Sequence, residues 1–237
     1  MKSKIEVQAE AKKIHIAQIK ASKVRRRLKS ISDLDRPAPT KIEKPTILIV
    51  CEGKNTEPSY FKQFKLATAT IKAVGNGKNT ISLVRQAILL NKKGKYERVW
   101  CVFDKDNFTA NNFNNAINLA IANNFGTAYS NQAFEYWLLL HFEDHQGGAM
   151  DRSEYGSTLN KYINPLGASY EYNTSKIVSG EFFEILMSIE EKSKKPRIDL
   201  ALERSERIYN QWDHQKPSLE ESTTKVFELV KELLLYL

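Results

Sequence analysis

At 237 residues, 41% of them apolar, the chain can bury a full hydrophobic core, which excludes a disordered or fibrous protein. No apolar run approaches the roughly 20 residues of a membrane span, and the N-terminus lacks the apolar block of a signal peptide, so a cytoplasmic protein with no membrane partner is expected. The net charge of +8 sits in one place: residues 1–44 hold 13 Lys and Arg against 5 Asp and Glu, while the other 193 residues carry 23 of each sign.

Residues 1–30 contain no Pro or Gly and are rich in Ala, Lys, Ile and Arg, a composition that suits a helix formed on binding. The charge is densest at Lys20, Lys23, Arg25, Arg26, Arg27 and Lys29, and such an arm either binds nucleic-acid phosphates or serves as a solvated tail. Pro37 and Pro39 end the helical pattern, and residues 31–44 read as a linker. A strand is expected over 46–51, then a turn through Glu52-Gly53-Lys54-Asn55, with Thr56 as N-cap of a helix over 57–66. A second strand at 68–74, a helix at 80–92, a third strand at 98–103, a helix at 109–124 and a short strand at 126–130 follow. A nearly all-apolar helix over 133–142 ends the strand–helix alternation near residue 145. Beyond it come a Tyr-rich stretch at 154–172 and helices near 181–191, 199–211 and 219–236.

The pattern predicts an α/β fold with a mostly parallel, Rossmann-like sheet flanked by helices. It divides into an arm and linker (1–44), an α/β domain (45–145) and a helical C-terminal portion packed on it (146–237). Cys51 and Cys101 fall inside predicted strands without metal-ligand spacing, as expected of core thiols in a reducing compartment.

The first and third strands each deliver acids at their carboxyl ends, where open α/β sheets place ligands. Asp104 and Asp106, two apart on a strand end, point the same way and suit a hard divalent cation such as Mg2+ or Mn2+. Glu52, on the neighbouring strand end, can bind the metal through water or act as general acid/base. Glu135 on the apolar helix is costly unless a metal or a basic group meets it. Lys54 either contacts a phosphate or is solvated.

Glu52-Gly53 and Asp104-Lys105-Asp106 together resemble the signature of the Toprim domain of topoisomerases, primases and certain nucleases. More narrowly, the run from Ile47 through Glu52-Gly53-Lys54-Asn55-Thr56-Glu57-Pro58-Ser59-Tyr60-Phe61 resembles the opening of the RloB family. So do the basic arm, the segment Phe134-Glu135-Tyr136-Trp137 and the segment Ser222-Thr223-Thr224-Lys225-Val226. The resemblance implies a Toprim-like nuclease of bacterial anti-phage and restriction loci, acting by abortive infection and accompanied by an ABC-type ATPase. By position it implies Glu52 as catalytic acid/base and Asp104 and Asp106 as magnesium ligands. The substrate would be DNA or a structured RNA such as transfer RNA, and assembly into a homo-oligomer stays open.

Other motifs are weaker. Leu48 and Lys72 stand where a phosphate-binding loop needs its first glycine, and Asn55 and Asn79 where it needs Ser or Thr, so no ATP site of its own is expected. His141 and His145 have helical zinc spacing, but the glutamate between them is misplaced for a zinc protease. Tyr155, Tyr162, Tyr170 and Tyr172 either stack bases or pack the helical portion onto the sheet, and packing is the preferred reading. The rival to an enzyme is a non-catalytic module of a defence complex that binds nucleic acid or a partner.

Overall fold

In the computed structural model, residues 44–73, 80–105, 109–145 and 150–237 are described. The basic arm lies outside them, as do Asp106 and the Gly147-Gly148 pair. The aliphatic run after Thr46 forms β1 (Ile47–Cys51), every residue of which is buried. Covering a Leu, Ile or Val side chain is worth about 1.5–3 kcal/mol, so the burial of β1 contributes several kcal/mol to the core. It is followed by α1 (Thr56–Lys62), β2 (Ala69–Ala73), α2 (Thr80–Gly94), β3 (Arg98–Lys105), α3 (Ala110–Ala122), β4 (Gly126–Asn131) and α4 (Glu135–Leu139). The C-terminal portion holds α5 (Arg152–Ile163), α6 (Gly180–Met187), α7 (Arg197–Tyr209) and α8 (Val226–Leu234).

The four strands form one parallel sheet in the order β2-β1-β3-β4. The α/β expectation is thereby borne out. The chain moves from β1 outward to β2, then crosses back over β1 to β3, so connections leave β1 and β3 in opposite directions. That divide is the topological switch point of the sheet. Side chains alternate accordingly. Ile47, Ile49, Trp100, Val102 and Ala128 face a core shared with α1, α4 and the C-terminal helices. Leu48, Val50, Val99, Cys101, Phe103 and Tyr129 face α2 and α3. Cys51 and Cys101 are free and buried, as core thiols should be, and burial pushes both thiols up, Cys101 to about 12.

Several local expectations change. Asn55, not Thr56, precedes α1 and makes no side-chain cap, while the Thr56 hydroxyl turns inward to Tyr170 at 3.0 Å. α1 stops at Lys62 because the chain reverses through Lys65, whose φ is 53°, to enter β2. α4 is shorter than the expected 133–142, although i→i+3 bonds such as Trp137 N–H to the Phe134 carbonyl and Phe142 N–H to the Leu139 carbonyl, each 2.9 Å, keep its flanks coiled. The Tyr-rich stretch contains a full helix, α5, whose N-cap Asp151 accepts from the Ser153 amide at 2.9 Å. The last helix begins at Val226, not near 219. Residues 220–225 instead run along the exposed edge of β4: Thr224 bridges Ser130 in antiparallel fashion, and Lys225 N–H donates to the Tyr129 carbonyl at 2.7 Å. Asn131 fastens this segment by donating its side-chain amide to the Pro217 carbonyl at 3.0 Å and the Thr223 hydroxyl at 3.1 Å, and to the Glu220 carbonyl. The Ser222-Thr223-Thr224-Lys225 motif is therefore a strap closing the sheet edge, which an open parallel sheet needs. No helix among the described residues is long and apolar enough to cross a membrane.

Candidate functional site

The carboxyl ends of β1, β3 and β4 meet at one edge of the sheet. β1 pairs with β3 so that Cys51 stands opposite Val102, and one residue further the Glu52 amide donates to the Val102 carbonyl at 2.9 Å. This bond carries the parallel pairing past the strand and fixes the partly exposed Glu52 beside the end of β3. β3 runs two residues beyond its expected end, so Asp104 is still within it, in register with Ser130 of β4. By alternation Asp104 shares the face of Trp100 and Val102, under the C-terminal helices. Glu52 and Asp104 thus flank the switch point between β1 and β3.

Two more acids complete the cluster. Glu57, in the first turn of α1, is 5% exposed and folds back to accept the Gly53 amide at 3.1 Å. A Cβ on residue 53 would run into that carboxylate, so a side chain there would displace Glu57 from its bond to the residue 53 amide. Glu135 opens α4 at 8% exposure and accepts the Tyr170 hydroxyl at 2.7 Å. Among the described residues this buried carboxylate meets a phenol, and the Thr56 hydroxyl bonds to the same phenol. A phenol satisfies a carboxylate lone pair without neutralising its charge.

The acids act on one another. Burial raises the Asp104 carboxyl well above its ordinary range; Glu57 and Glu135 push it further, Arg152 pulls it down, and Glu52 adds a smaller push. Glu57 is raised chiefly by burial, held back by its own amide and that of Gly53, pushed by Glu135 and relieved by Lys176. Glu52, Glu57, Asp104 and Glu135 are therefore one electrostatic unit. Three of them were singled out from sequence; Glu57 was not, because an acid in a first helical turn reads as an ordinary complement to the helix dipole. The spacing of Gly53 and Glu57 around a strand-ending turn is the signal that marks it.

At the carboxyl ends of β3 and β4 opens a cavity of 180 Å3 lined by Lys105, Asn131, Gln132 and Arg152, with Asp151, Ser218 and Glu221 completing its wall; none of the four acids lines it. Lys54 lies exposed in the turn after Glu52. Among the described residues no three His, Cys, Asp or Glu side chains form a ready metal cage. Magnesium takes one or two carboxylates and keeps several waters, so a preformed cage is not its requirement. The donors fit such a hard cation: they are all carboxylates, and their mutual repulsion at Asp104 is what a positive charge would reverse. The predicted co-ligand Asp106 and the arm residues Lys20, Lys23, Arg25, Arg26, Arg27 and Lys29 fall outside the described residues.

The histidine pair forms no such site. His141 is fully buried, its Nδ1 lies 3.1 Å from the Trp137 carbonyl and its ring stands edge-on to Trp137 at 5.0 Å. Tyr155 and Tyr170 are buried in the core that joins the helical portion to the sheet, with Tyr162 and Tyr172 packed against it, which bears out the packing reading over base stacking.

No curated protein and no solved structure matches this chain. A family model described as RloB-like protein matches residues 47–233, from the first residue of β1 to within α8, and the chain belongs to the RloB-like family.

Proposed function

We propose that this protein is a Toprim-type nuclease that uses Mg2+ or Mn2+ to hydrolyse phosphodiester bonds in DNA or in a structured RNA such as transfer RNA. The observation that carries the reading is the electrostatic coupling of Glu52, Glu57 and Glu135 to Asp104 at the switch point of a parallel sheet, with Arg152 acting on the same carboxyl. Burial and neighbouring acids raise the proton affinity of Asp104 and Glu57, and carboxylates perturbed in this way cluster at functional sites. When bound, the cation neutralises the phosphoryl oxygens and makes a water nucleophilic. Asp104 and Asp106 are the residues to hold it. Glu52, at the more open end of the cluster, takes the proton from the attacking water and returns one to the leaving oxygen. Glu57 keeps Glu52 in place through the Gly53 turn. Lys105 and Arg152, with Lys54 on the adjacent turn, bind the flanking phosphates, and the basic arm adds affinity that does not depend on sequence.

Family membership supports the setting: an effector of anti-phage defence in the bacterial cytoplasm, acting by abortive infection and held in check by an ABC-type ATPase encoded nearby. The first test is incubation of purified protein with DNA and with total RNA, with Mg2+, with Mn2+ and with chelator. Metal-dependent cleavage is expected. Tight nucleic-acid binding with no cleavage under either metal would favour the non-catalytic module instead.

A further inference from the structure

The loop after α7 carries a second cavity, which the hydrolytic reading does not use. Its volume is 530 Å3, and Trp212 and Leu219 line it together with Gln211, Asp213, Gln215 and Lys216. Trp212 is 41% exposed and Leu219 60%, whereas Trp100 and Trp137 are buried. The loop that presents the indole is held in shape. The Trp212 amide donates to the Tyr209 carbonyl at 3.1 Å, and the His214 ring stacks on Tyr209 at a centroid distance of 3.8 Å. His214 Nδ1 lies 3.0 Å from Oε2 of Glu220, a buried carboxylate that also lines the cavity. The φ of His214 is 59°, a left-handed conformation that a residue other than glycine keeps only where its surroundings enforce it. Packing therefore fixes the loop without covering the indole.

We propose that this cavity binds an unpaired base of the nucleic acid, stacked on the Trp212 indole. The proposal rests on the nucleic-acid substrate inferred above and adds a contact outside the acid cluster. A base has a flat apolar face and an edge that both donates and accepts hydrogen bonds. Trp212 and Leu219 supply the apolar surface, the Gln211 and Gln215 amides offer donors and acceptors, and Asp213 accepts. A phosphate only accepts and is repelled by Asp213 and Glu220, so the base is the group that enters, while Lys216 suits the phosphate attached to it. The apolar part of the cavity is one indole and one leucine, the area of a base and not of a protein interface, which buries about 800 Å2 per partner. Position supports the same occupant. The turn Pro217–Leu219 joins the two cavities, with Leu219 lining this one and Ser218 the one that holds Lys105 and Arg152. Three residues of such a turn span about 6 Å, within two nucleotide rises of about 3.4 Å. A strand lying against Lys105 and Arg152 thus reaches Trp212 with a neighbouring base.

The test is tryptophan fluorescence of the full chain, titrated in chelator with single-stranded DNA and RNA oligonucleotides. Of the three tryptophans, Trp212 is the exposed one, so a base stacked on it should quench the emission. Trp212→Leu should lose the quenching and bind about fivefold to a hundredfold more weakly by fluorescence anisotropy of a labelled oligonucleotide. Trp212→Phe, which keeps an aromatic face, should recover part of the affinity. An oligonucleotide of abasic residues should bind the wild type and Trp212→Leu alike, because only the phosphate contacts remain. Quenching that persists in Trp212→Leu would overturn the proposal, as would an affinity of that variant within twofold of wild type or the absence of quenching by every oligonucleotide. The outcome is separate from hydrolysis. Quenching without cleavage in Mg2+ or Mn2+ keeps the base site and sinks the nuclease reading, whereas cleavage with unchanged affinity in Trp212→Leu does the reverse.

Discussion

The Tyr170 hydroxyl donates to Glu135 Oε1 across 2.7 Å, joining the segment after α5 to the first residue of α4, and Thr56 at the head of α1 meets the same hydroxyl at 3.0 Å. Three separate parts of the chain are thereby tied at the acid cluster. Removing the phenol leaves a buried carboxylate without its donor, so Tyr170→Phe should cost about 1–3 kcal/mol. In chemical denaturation the loss should shrink when Glu135→Gln is added, because a neutral amide tolerates burial better. Equal losses in the single and double variants would mean that the bond stabilises nothing.

Asp104 should weaken the protein when no cation is present. Its carboxyl gains protons more readily in the fold than in the unfolded chain, so the ionised form costs stability above the folded value, and the cost vanishes as pH falls below the unfolded one near 3.9. Asp104→Asn should therefore raise the melting temperature at neutral pH in chelator. Each 1 kcal/mol corresponds to about 2–4 °C for a chain of this size. Added Mg2+ should stabilise the wild type and leave the variant unmoved. A variant that melts lower in chelator would contradict the electrostatic reading of the cluster.

Which of these features the amino-acid sequence discloses follows from the range of the forces involved. The strands are legible because runs such as Ile47 to Val50 are buried on both faces and need no partner to announce them. Glu52, Asp104 and Glu135 are legible as acids that end or follow such runs. The helix α5 is not, because Gly156 and the polar residues around it blur its apolar stripe; that glycine is needed where the ring of Tyr172 lies too close for a Cβ. The strap at 220–225 is not legible either. Its course is set by Asn131 and Ser130, some ninety residues away, and periodicity carries no trace of such bonds. Nor is the partner of Glu135, since Tyr170 reaches it only after α5 has folded back over the sheet.

His141 makes the fold sensitive to acid. Burial, and to a lesser degree Arg204 and Arg197, lower its proton affinity to a value of about 3 against the bonds to the Trp137 and Leu138 backbone. The unfolded chain takes up the proton near pH 6.5, so stability is full above that value and falls as pH drops toward 3, by up to about 1.4 kcal/mol per pH unit. His141→Phe should lose about 0.5–1.5 kcal/mol at pH 7 with its bond to the Trp137 carbonyl, yet show a flatter decline between pH 6.5 and 4. Parallel declines in denaturation curves taken across that range would remove His141 as the source.

The most direct measurement is single-turnover cleavage of nucleic acid in Mg2+ by the wild type, Glu52→Gln and Asp104→Asn, with circular dichroism to confirm the fold of each. Loss of a metal ligand or of a general acid/base typically lowers the rate by about a hundredfold or more. The predicted result is that both folded variants lose at least that much while the wild type cleaves only with metal present. Full-rate cleavage by either variant would contradict the assignment of the strand-end acids to the chemistry.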